Sequence, residues 1–221
     1  MKRLGYAFFG IAFSGLGLLF FWMWMQDEAN EAGPESQVII TGKKETHRVT
    51  PAMLESSNKM ASQAAPGFDS QATDDRSYRL EALIQEGPIL LAFIKDGCPC
   101  STAAQPYFNR LHDAYGTSLK FFGVFDGSVS KAKAWAAENK VRFPILADPE
   151  LKIVRAYKAE NSAYVALVSK GGTIEKLWPG YSSEMLKDVS LRLARLADTD
   201  PKPIDTTDSP DEMLSGCPFD L

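Results

Sequence analysis

The sequence predicts an α/β domain with a mixed sheet, preceded by one transmembrane helix. Strand patterns alternate with helix patterns from residue 64 to residue 197, and the last two strands are arranged as a hairpin, which makes the sheet mixed. The helix is predicted by an uncharged run at residues 4–26, since about 20 apolar residues span a hydrocarbon core. The net charge is −4 and no basic patch stands out, so we expect no nucleic-acid partner.

The N-terminus predicts the compartment. Lys2 and Arg3 precede the uncharged run and Asp27 follows it, so the positive-inside rule leaves the N-terminus in the cytoplasm. The run is longer than the apolar part of a cleaved signal and no small-residue cleavage site follows it. We therefore expect residues 1–26 to be a cytoplasmic stub and a single-pass signal anchor in the cell membrane. The rest of the chain then lies on the extracytoplasmic, periplasmic side.

Two polar segments flank the predicted domain. Residues 27–63 are predicted as an extracytoplasmic stalk, with a short strand at "QVII" and a short helix that has Thr50 as N-cap and Pro51 at its first position. Residues 198–221 are acidic and rich in proline, which predicts a flexible tail; it carries Cys217 in "SGCPFDL".

The first half of the domain is predicted as strand, helix, strand, helix. The near-continuous apolar run at residues 87–97 is typical of a strand buried on both faces. Residues 101–116 carry apolar side chains every three or four positions and end in glycine, which predicts a helix. The stripe consists of Ala104, Phe108, Leu111 and Tyr115. A second buried strand at 119–127 and a helix at 128–140 follow.

The second half of the domain ends in a hairpin and a helix. We expect a strand at 143–149, a short helix at 150–158, and hairpin strands at 163–169 and 173–178 joined by "KGG". The closing helix covers 182–197, with Ser182 as N-cap. Its apolar face consists of Leu186, Val189, Leu193 and Leu196.

Two of the three cysteines stand between the first buried strand and its helix, in "GCPCS". Pro99 fits the first helical position, which makes Cys98 the N-cap. Free backbone N–H groups and the positive end of the helix dipole favour a thiolate at that place. The thiolate is the reactive form, so Cys98 is the predicted nucleophile, with Cys100 close behind it in the first turn.

The order of four segments resembles the thioredoxin-like superfamily, within it the redoxin group of peroxiredoxins and membrane-anchored thioredoxin-like proteins. The segments are "AAPGFDSQATDDRSYRLEAL", "GPILLAFIKDGCPCS", "FFGVFDG" and "VRFPILADPELKIVRAYKA". The resemblance covers residues 64–197 and implies the three-layer thioredoxin-like fold. Pro106, eight positions after Cys98, matches the kinking proline of the family's active-site helix, which aligns Cys98 with the attacking cysteine. The family's second cysteine position is Ser101, so Cys100 is a displaced thiol.

Two further positions depart from the resemblance. Peroxiredoxins carry a threonine three residues before the attacking cysteine, where this chain has Lys95. Peroxiredoxins also use an arginine, and thioredoxins a cis-proline, at the position that aligns with Ala163.

The main functional hypothesis is a membrane-anchored, extracytoplasmic thiol–disulfide oxidoreductase that needs no cofactor. Cys98 would attack a protein disulfide or a small oxidant, and Cys100 or Cys217 would resolve the mixed disulfide. A Cys98–Cys100 bond would close a very small, strained ring, whereas a tail of about 20 residues can span about 25 Å and bring Cys217 back.

Two alternatives belong to other functional classes. A Cu(I)-binding or copper-delivery module would use soft sulfur ligands, namely Cys98, Cys100 and a ligand from the tail, either Cys217 or Met213. The second alternative is a scaffold protein that has the redoxin fold but no catalytic activity.

Overall fold

The computed structural model describes residues 47–221. The elements in chain order are α1 Pro51–Met60, β1 Asp69–Gln71, β2 Ser77–Arg79, α2 Leu80–Glu86, β3 Ile89–Ile94, α3 Pro99–Tyr115, β4 Lys120–Phe125, α4 Val129–Glu138, β5 Ile145–Ala147, α5 Lys152–Ala156, β6 Val165–Val168, β7 Ile174–Trp178 and α6 Ser183–Ala197. No helix among these residues is long and apolar enough to cross a membrane. The predicted anchor at residues 4–26 and the predicted strand "QVII" lie outside the described residues.

Five strands form one mixed sheet in the order β5-β4-β3-β6-β7. The central strand β3 is parallel to β4 and antiparallel to β6, and β6 and β7 form the terminal hairpin. Every residue of β3 is buried, as its continuous apolar sequence predicts for a strand covered on both faces. The predicted mixed α/β sheet is therefore confirmed, and β1 and β2 form a separate two-stranded hairpin.

Helices cover both faces of the sheet, which gives three layers. Alternate side chains of β3 point to opposite faces, so Leu90 and Leu91 belong to different buried clusters. The Leu90 face packs against α3 and α6, and α4 packs on the same side near Ile94. The Leu91 face packs against α1, α2 and α5. Both faces of the sheet are thus buried, and the carboxyl end of β3 opens directly onto the start of α3.

The predicted helix in the stalk is part of the domain. Thr50 is the N-cap of α1, its hydroxyl accepts a hydrogen bond from the Met53 amide, and Pro51 begins the helix as predicted. Met53 and Met60 are buried in the core on the α1 side of the sheet. Residues 51–60 therefore pack against the sheet, and the boundary between stalk and domain lies further toward the N-terminus than residue 64.

The C-terminal segment differs from the predicted flexible tail, because it is packed along the domain. The Tyr115 hydroxyl accepts from the Lys202 amide, and the Tyr107 hydroxyl donates to the Thr207 carbonyl, so the chain runs back along α3. Leu214 then exchanges two backbone hydrogen bonds with Tyr181, at 2.9 and 3.0 Å. The acidic, proline-rich composition of this segment predicts mobility. Its hydrogen-bond partners lie on elements distant in the sequence, and composition does not indicate them.

Candidate active site

The loop between β3 and α3 holds Cys98 at the start of the helix. Gly97 takes a left-handed conformation, with φ of 66°, that lets the chain turn from strand to helix. Pro99 occupies the first helical position and Cys98 is the N-cap, as predicted. The Ser101 hydroxyl accepts from the Lys95 amide at 3.2 Å and fixes the loop against the first turn. The Cys98 side chain is 2% exposed, so its environment is set by protein groups.

Cys217 lies directly against Cys98. Their Sγ atoms are 2.8 Å apart, about 0.8 Å more than the length of a disulfide bond. The Cys217 backbone N–H also donates to the Cys98 sulfur at 3.2 Å. Both cysteines are free thiols in this structure. A Cys98–Cys217 disulfide therefore requires only a small approach of the two side chains.

The groups around Cys98 favour its thiolate. The Cys100 thiol acts most strongly, and the Cys217 thiol, the Ser162 hydroxyl and the Cys217 amide add to it, so that the pKa of Cys98 lies well below its ordinary value despite burial. The Ser162 Oγ is 3.2 Å from the sulfur. The helix itself supplies no hydrogen bond to the Cys98 side chain. The predicted depression of the pKa is thus supported, but its main sources are side chains rather than the free N–H groups of α3.

The other two thiols are kept protonated. The neighbouring Cys98 thiolate acts most strongly on Cys100, and together with burial it raises the pKa of Cys100 far above its ordinary value. Burial, the hydrogen bond to Cys98 and the charge on Cys98 raise the pKa of Cys217 to about 11, while nearby Lys95 lowers it. At neutral pH one thiolate therefore stands beside two thiol donors.

Lys95 ties the end of the chain to the active-site loop. Its Nζ lies 2.8 Å from a carboxylate oxygen of Asp220, and this hydrogen bond raises the pKa of Lys95. The lysine side chain is 18% exposed and the carboxylate 94%, so most of the binding strength of this pair is screened by water. The pair nonetheless places a positive charge next to the Cys217 thiol.

Three groups at this site were not predicted from the sequence. Ser162 and Asn161 precede β6 in "ENSAY", and Asn161 donates to the Gly216 carbonyl at 2.8 Å. Tyr181 follows β7 and pairs with Leu214. Ala163, which aligns with the family's cis-proline, bonds to the Phe93 carbonyl at the end of β3. The alignment of Ala163 with the cis-proline position could have indicated its neighbour Ser162. The residues around Tyr181 in the sequence contain no motif that indicates a role for it.

The Cu(I) alternative requires several ligands around one point. Within residues 47–221 no group of three or more histidine, cysteine, aspartate or glutamate side chains is arranged to hold a metal ion. The Met213 carbonyl accepts from the Val49 amide, and its side chain packs against the core on the α3 side. This geometry gives the copper hypothesis no support.

The sequence matches a known protein family. The model of the AhpC/TSA family matches residues 61–178, which is more than half of the sequence. The chain belongs to the AhpC/TSA family. This is a redoxin family, so the resemblance found in the sequence is confirmed and the protein is an oxidoreductase. The comparison with curated proteins gave no match.

Solved structures with the same fold include proteins from several bacteria. An uncharacterized conserved protein from Geobacillus kaustophilus is 20% identical, with a TM-score of 0.59, over 75% of this chain and 94% of that one. The thioredoxin domain of a thiol-disulfide oxidoreductase from Bacteroides vulgatus is 18% identical, with a TM-score of 0.53, over 60% and 96%. Peroxiredoxin Q from Xanthomonas campestris is 19% identical, with a TM-score of 0.52, over 59% and 91%. These likenesses confirm the thioredoxin-like fold.

Proposed function

We propose that the protein is a membrane-anchored thiol–disulfide oxidoreductase in which Cys98 is the nucleophile and Cys217 resolves the mixed disulfide. The observation that carries the proposal is the 2.8 Å distance between the two sulfur atoms, at the start of the active-site helix of a redoxin. Two proteins with the same fold are named as a thiol-disulfide oxidoreductase and a peroxiredoxin, which agrees with thiol chemistry at this position.

The reaction consists of two exchanges. The Cys98 thiolate attacks one sulfur of a substrate disulfide, a Cys98–substrate disulfide forms, and the other substrate sulfur leaves as a thiolate. Cys217, as a thiolate, then attacks the Cys98 sulfur, forms the Cys98–Cys217 disulfide and releases the second substrate sulfur. The substrate gains two electrons and the enzyme loses two, which an external dithiol restores. The same steps in reverse oxidise a dithiol.

Cys217 suits the second step better than Cys100 does. A Cys98–Cys100 bond would close a ring across a single intervening residue within the first turn of α3, and such a ring is strained. Cys100 instead acts as a neighbouring thiol that lowers the pKa of the nucleophile. Once Cys98 is bonded to a substrate, its negative charge is gone, and the nearby Lys95 favours ionisation of Cys217.

The test is disulfide mapping of the full chain after oxidation with one equivalent of oxidised glutathione. We expect a Cys98–Cys217 bond in the wild type, and Cys217→Ser should stop turnover after the mixed disulfide. Cys100→Ser is the matched control, since it removes a neighbouring thiol and should still form the Cys98–Cys217 bond. A wild type that contains only a Cys98–Cys100 bond, together with normal turnover of Cys217→Ser, would contradict the assignment.

The compartment is part of the same proposal. The uncharged run at residues 4–26 behind Lys2 and Arg3 supports a signal anchor with the domain outside the cytoplasm, where disulfides persist. Protease added to spheroplasts should digest the domain while a cytoplasmic marker stays intact. Protection of the domain until the membrane is permeabilised would refute this topology.

A further inference from the structure

The C-terminal residues 214–220, called here the docked segment, lie antiparallel to the chain ahead of β6. The Gly216 amide donates to the Ser162 carbonyl at 2.8 Å, and the Ser162 amide donates to the Cys217 carbonyl at 3.0 Å. The Phe219 amide donates to the Glu160 carbonyl at 2.9 Å. All three bonds join backbone to backbone, so any extended polypeptide could make them. We call the backbone of residues 160–162 the docking edge.

The docked segment presents a specific pattern of side chains to this edge. A Cβ on Gly216 would lie 1.9 Å from the Ser162 hydroxyl, so only glycine fits before the cysteine without displacement. Phe219 is 6% exposed and shares a buried cluster with Phe93 and Tyr157. Pro218, between the cysteine and the phenylalanine, is exposed. The site thus selects glycine before the cysteine and an aromatic residue two positions after it.

The same segment stands between Cys98 and solvent. Cys98 is 2% exposed, and the side chain in contact with its sulfur that itself reaches the surface is the partly exposed Cys217. A substrate sulfur needs the place that Cys217 holds, and a substrate backbone that approaches it meets the docking edge. Tail and substrate therefore exclude each other.

Resting on the proposed function, we infer that the docking edge is the substrate-binding site and that the docked segment is its internal competitor. The substrate is an extended protein segment with the pattern Gly–Cys–any–aromatic, which replaces the tail before the first exchange. The Cys98 thiolate attacks the sulfur of this cysteine, and the group previously bonded to that sulfur leaves as a thiolate. The substrate backbone then leaves the docking edge while its sulfur stays bonded to Cys98, and the tail returns. Cys217, as a thiolate, attacks the Cys98 sulfur in line with the bond to the substrate sulfur, which leaves as a thiolate.

Gly180 offers a way to loosen the tail without altering the docking edge. A Cβ on Gly180 would lie 2.3 Å from the Leu214 carbonyl oxygen and 2.6 Å from its carbon, where the tail bonds to Tyr181. A peptide that begins at the position of Gly216 does not extend to Leu214. Gly180→Ala therefore disfavours docking of the tail and leaves the contacts of such a peptide unchanged.

The test uses the full chain with Cys217→Ser, so that the tail cannot resolve the mixed disulfide while Cys100 still supports the Cys98 thiolate. The probe is the acetylated peptide Gly-Cys-Pro-Phe-Asp-Leu, with its cysteine in a mixed disulfide with thionitrobenzoate. Cys98 attacks the peptide sulfur and thionitrobenzoate leaves as a coloured thiolate, which reports the rate. Three further peptides carry valine for glycine, alanine for phenylalanine, or alanine for the final leucine, which matches Leu221, 56% exposed in the protein.

We expect the valine and alanine-for-phenylalanine peptides to react about tenfold or more slowly than the parent peptide, from the clash and the lost apolar burial. The leucine-to-alanine peptide should react like the parent, and Gly180→Ala should accelerate the parent reaction about tenfold or more. The same ranking of the four peptides is expected in the protein that keeps Gly180. The peptide comparison therefore decides the inference even if the Gly180→Ala variant folds poorly. Equal rates for all four peptides, with a normal reaction of Cys98 toward a small aromatic disulfide, would overturn this inference alone. No reaction with either kind of disulfide, even above the ordinary thiol pKa of about 8.5, would overturn the proposed function as well.

Discussion

Alanine at position 216 should make the Cys98–Cys217 disulfide easier to reduce. The added Cβ would meet the Ser162 hydroxyl at 1.9 Å, and also the Ser162 carbonyl oxygen and carbon at 2.8 and 2.9 Å. A hydroxyl can rotate away, but the Ser162 backbone continues into Ala163, whose amide donates to the Phe93 carbonyl of β3 at 2.7 Å. The docked segment must therefore move outward to accommodate the methyl group.

The size of the change in reduction potential depends on which redox state contains the steric clash between residue 216 and Ser162. The disulfide keeps residue 217 bonded to Cys98, so the oxidised protein cannot release the segment, whereas the reduced protein can undock it. Overpacking of this kind costs about 1–3 kcal/mol. For a two-electron couple, 1.4 kcal/mol corresponds to about 30 mV, so the reduction potential should rise by about 20–60 mV.

The potential is measured by equilibrating the full chain in glutathione buffers and trapping free thiols with a maleimide mass tag. Gly171→Ala is the matched control: it adds the same methyl group in a turn where the nearest atom is 3.9 Å away. Its potential should equal that of the wild type. If Gly216→Ala and Gly171→Ala give the same potential, the tail does not form the oxidised site in the docked position, and the reasoning fails.

Three more substitutions probe the charges at the site. Ser162→Ala should raise the pKa of Cys98 by about 1–2, since a hydrogen bond to a charged group is worth about 1.5–3 kcal/mol; thiolate absorbance in the ultraviolet measures it, and an unchanged pKa contradicts the contact. Lys95→Gln should slow the attack of Cys217 on a mixed disulfide about threefold to tenfold at neutral pH, with Lys131→Gln as the control, and equal rates for the two variants would exclude a role of Lys95. Because the pKa of Cys98 is lowered on folding, its ionisation stabilises the reduced protein fully above about pH 8.5, and this stabilisation is lost as pH falls toward the folded pKa. The difference in unfolding free energy between wild type and Cys98→Ser should therefore shrink on acidification, and a difference that grows would reverse the assigned direction.

Much of the domain could be predicted because its elements carry their own signals. The apolar run of β3 and the proline after Cys98 specify a buried strand, a turn and the start of a helix within about ten residues. Ser182 caps α6 as predicted, and its hydroxyl accepts from the Met185 amide at 3.1 Å. Signals of this kind depend on residues that are neighbours in the sequence, so they can be recognised without knowledge of the fold.

The rest of the site depends on contacts that cross the whole chain. Cys217 was predicted to reach Cys98, but as part of a flexible tail and with Cys100 as a rival. The two signs of a docked tail are glycines at positions 180 and 216, where an added Cβ would meet the backbone of Leu214 or Ser162. In a sequence, both glycines stand in ordinary turn contexts, "WPGYS" and "SGCP". Their meaning appears only once the two segments are placed side by side.

One docking edge shared by tail and substrate constrains the strength of docking. Cys98 is buried while the tail is docked, so a firmly held tail slows the first exchange. The second exchange needs Cys217 back at the Cys98 sulfur, so a weakly held tail slows resolution. Turnover is therefore greatest at intermediate docking strength. The structure shows opposing features in keeping with this: Phe219 is anchored in the core, whereas the Asp220 carboxylate that pairs with Lys95 is 94% exposed, so the pair contributes little. Gly180→Ala, which loosens the tail, should accordingly speed formation of the mixed disulfide and slow its resolution. A misfolded variant would instead slow both steps, so the opposite signs of the two changes identify the loosened tail.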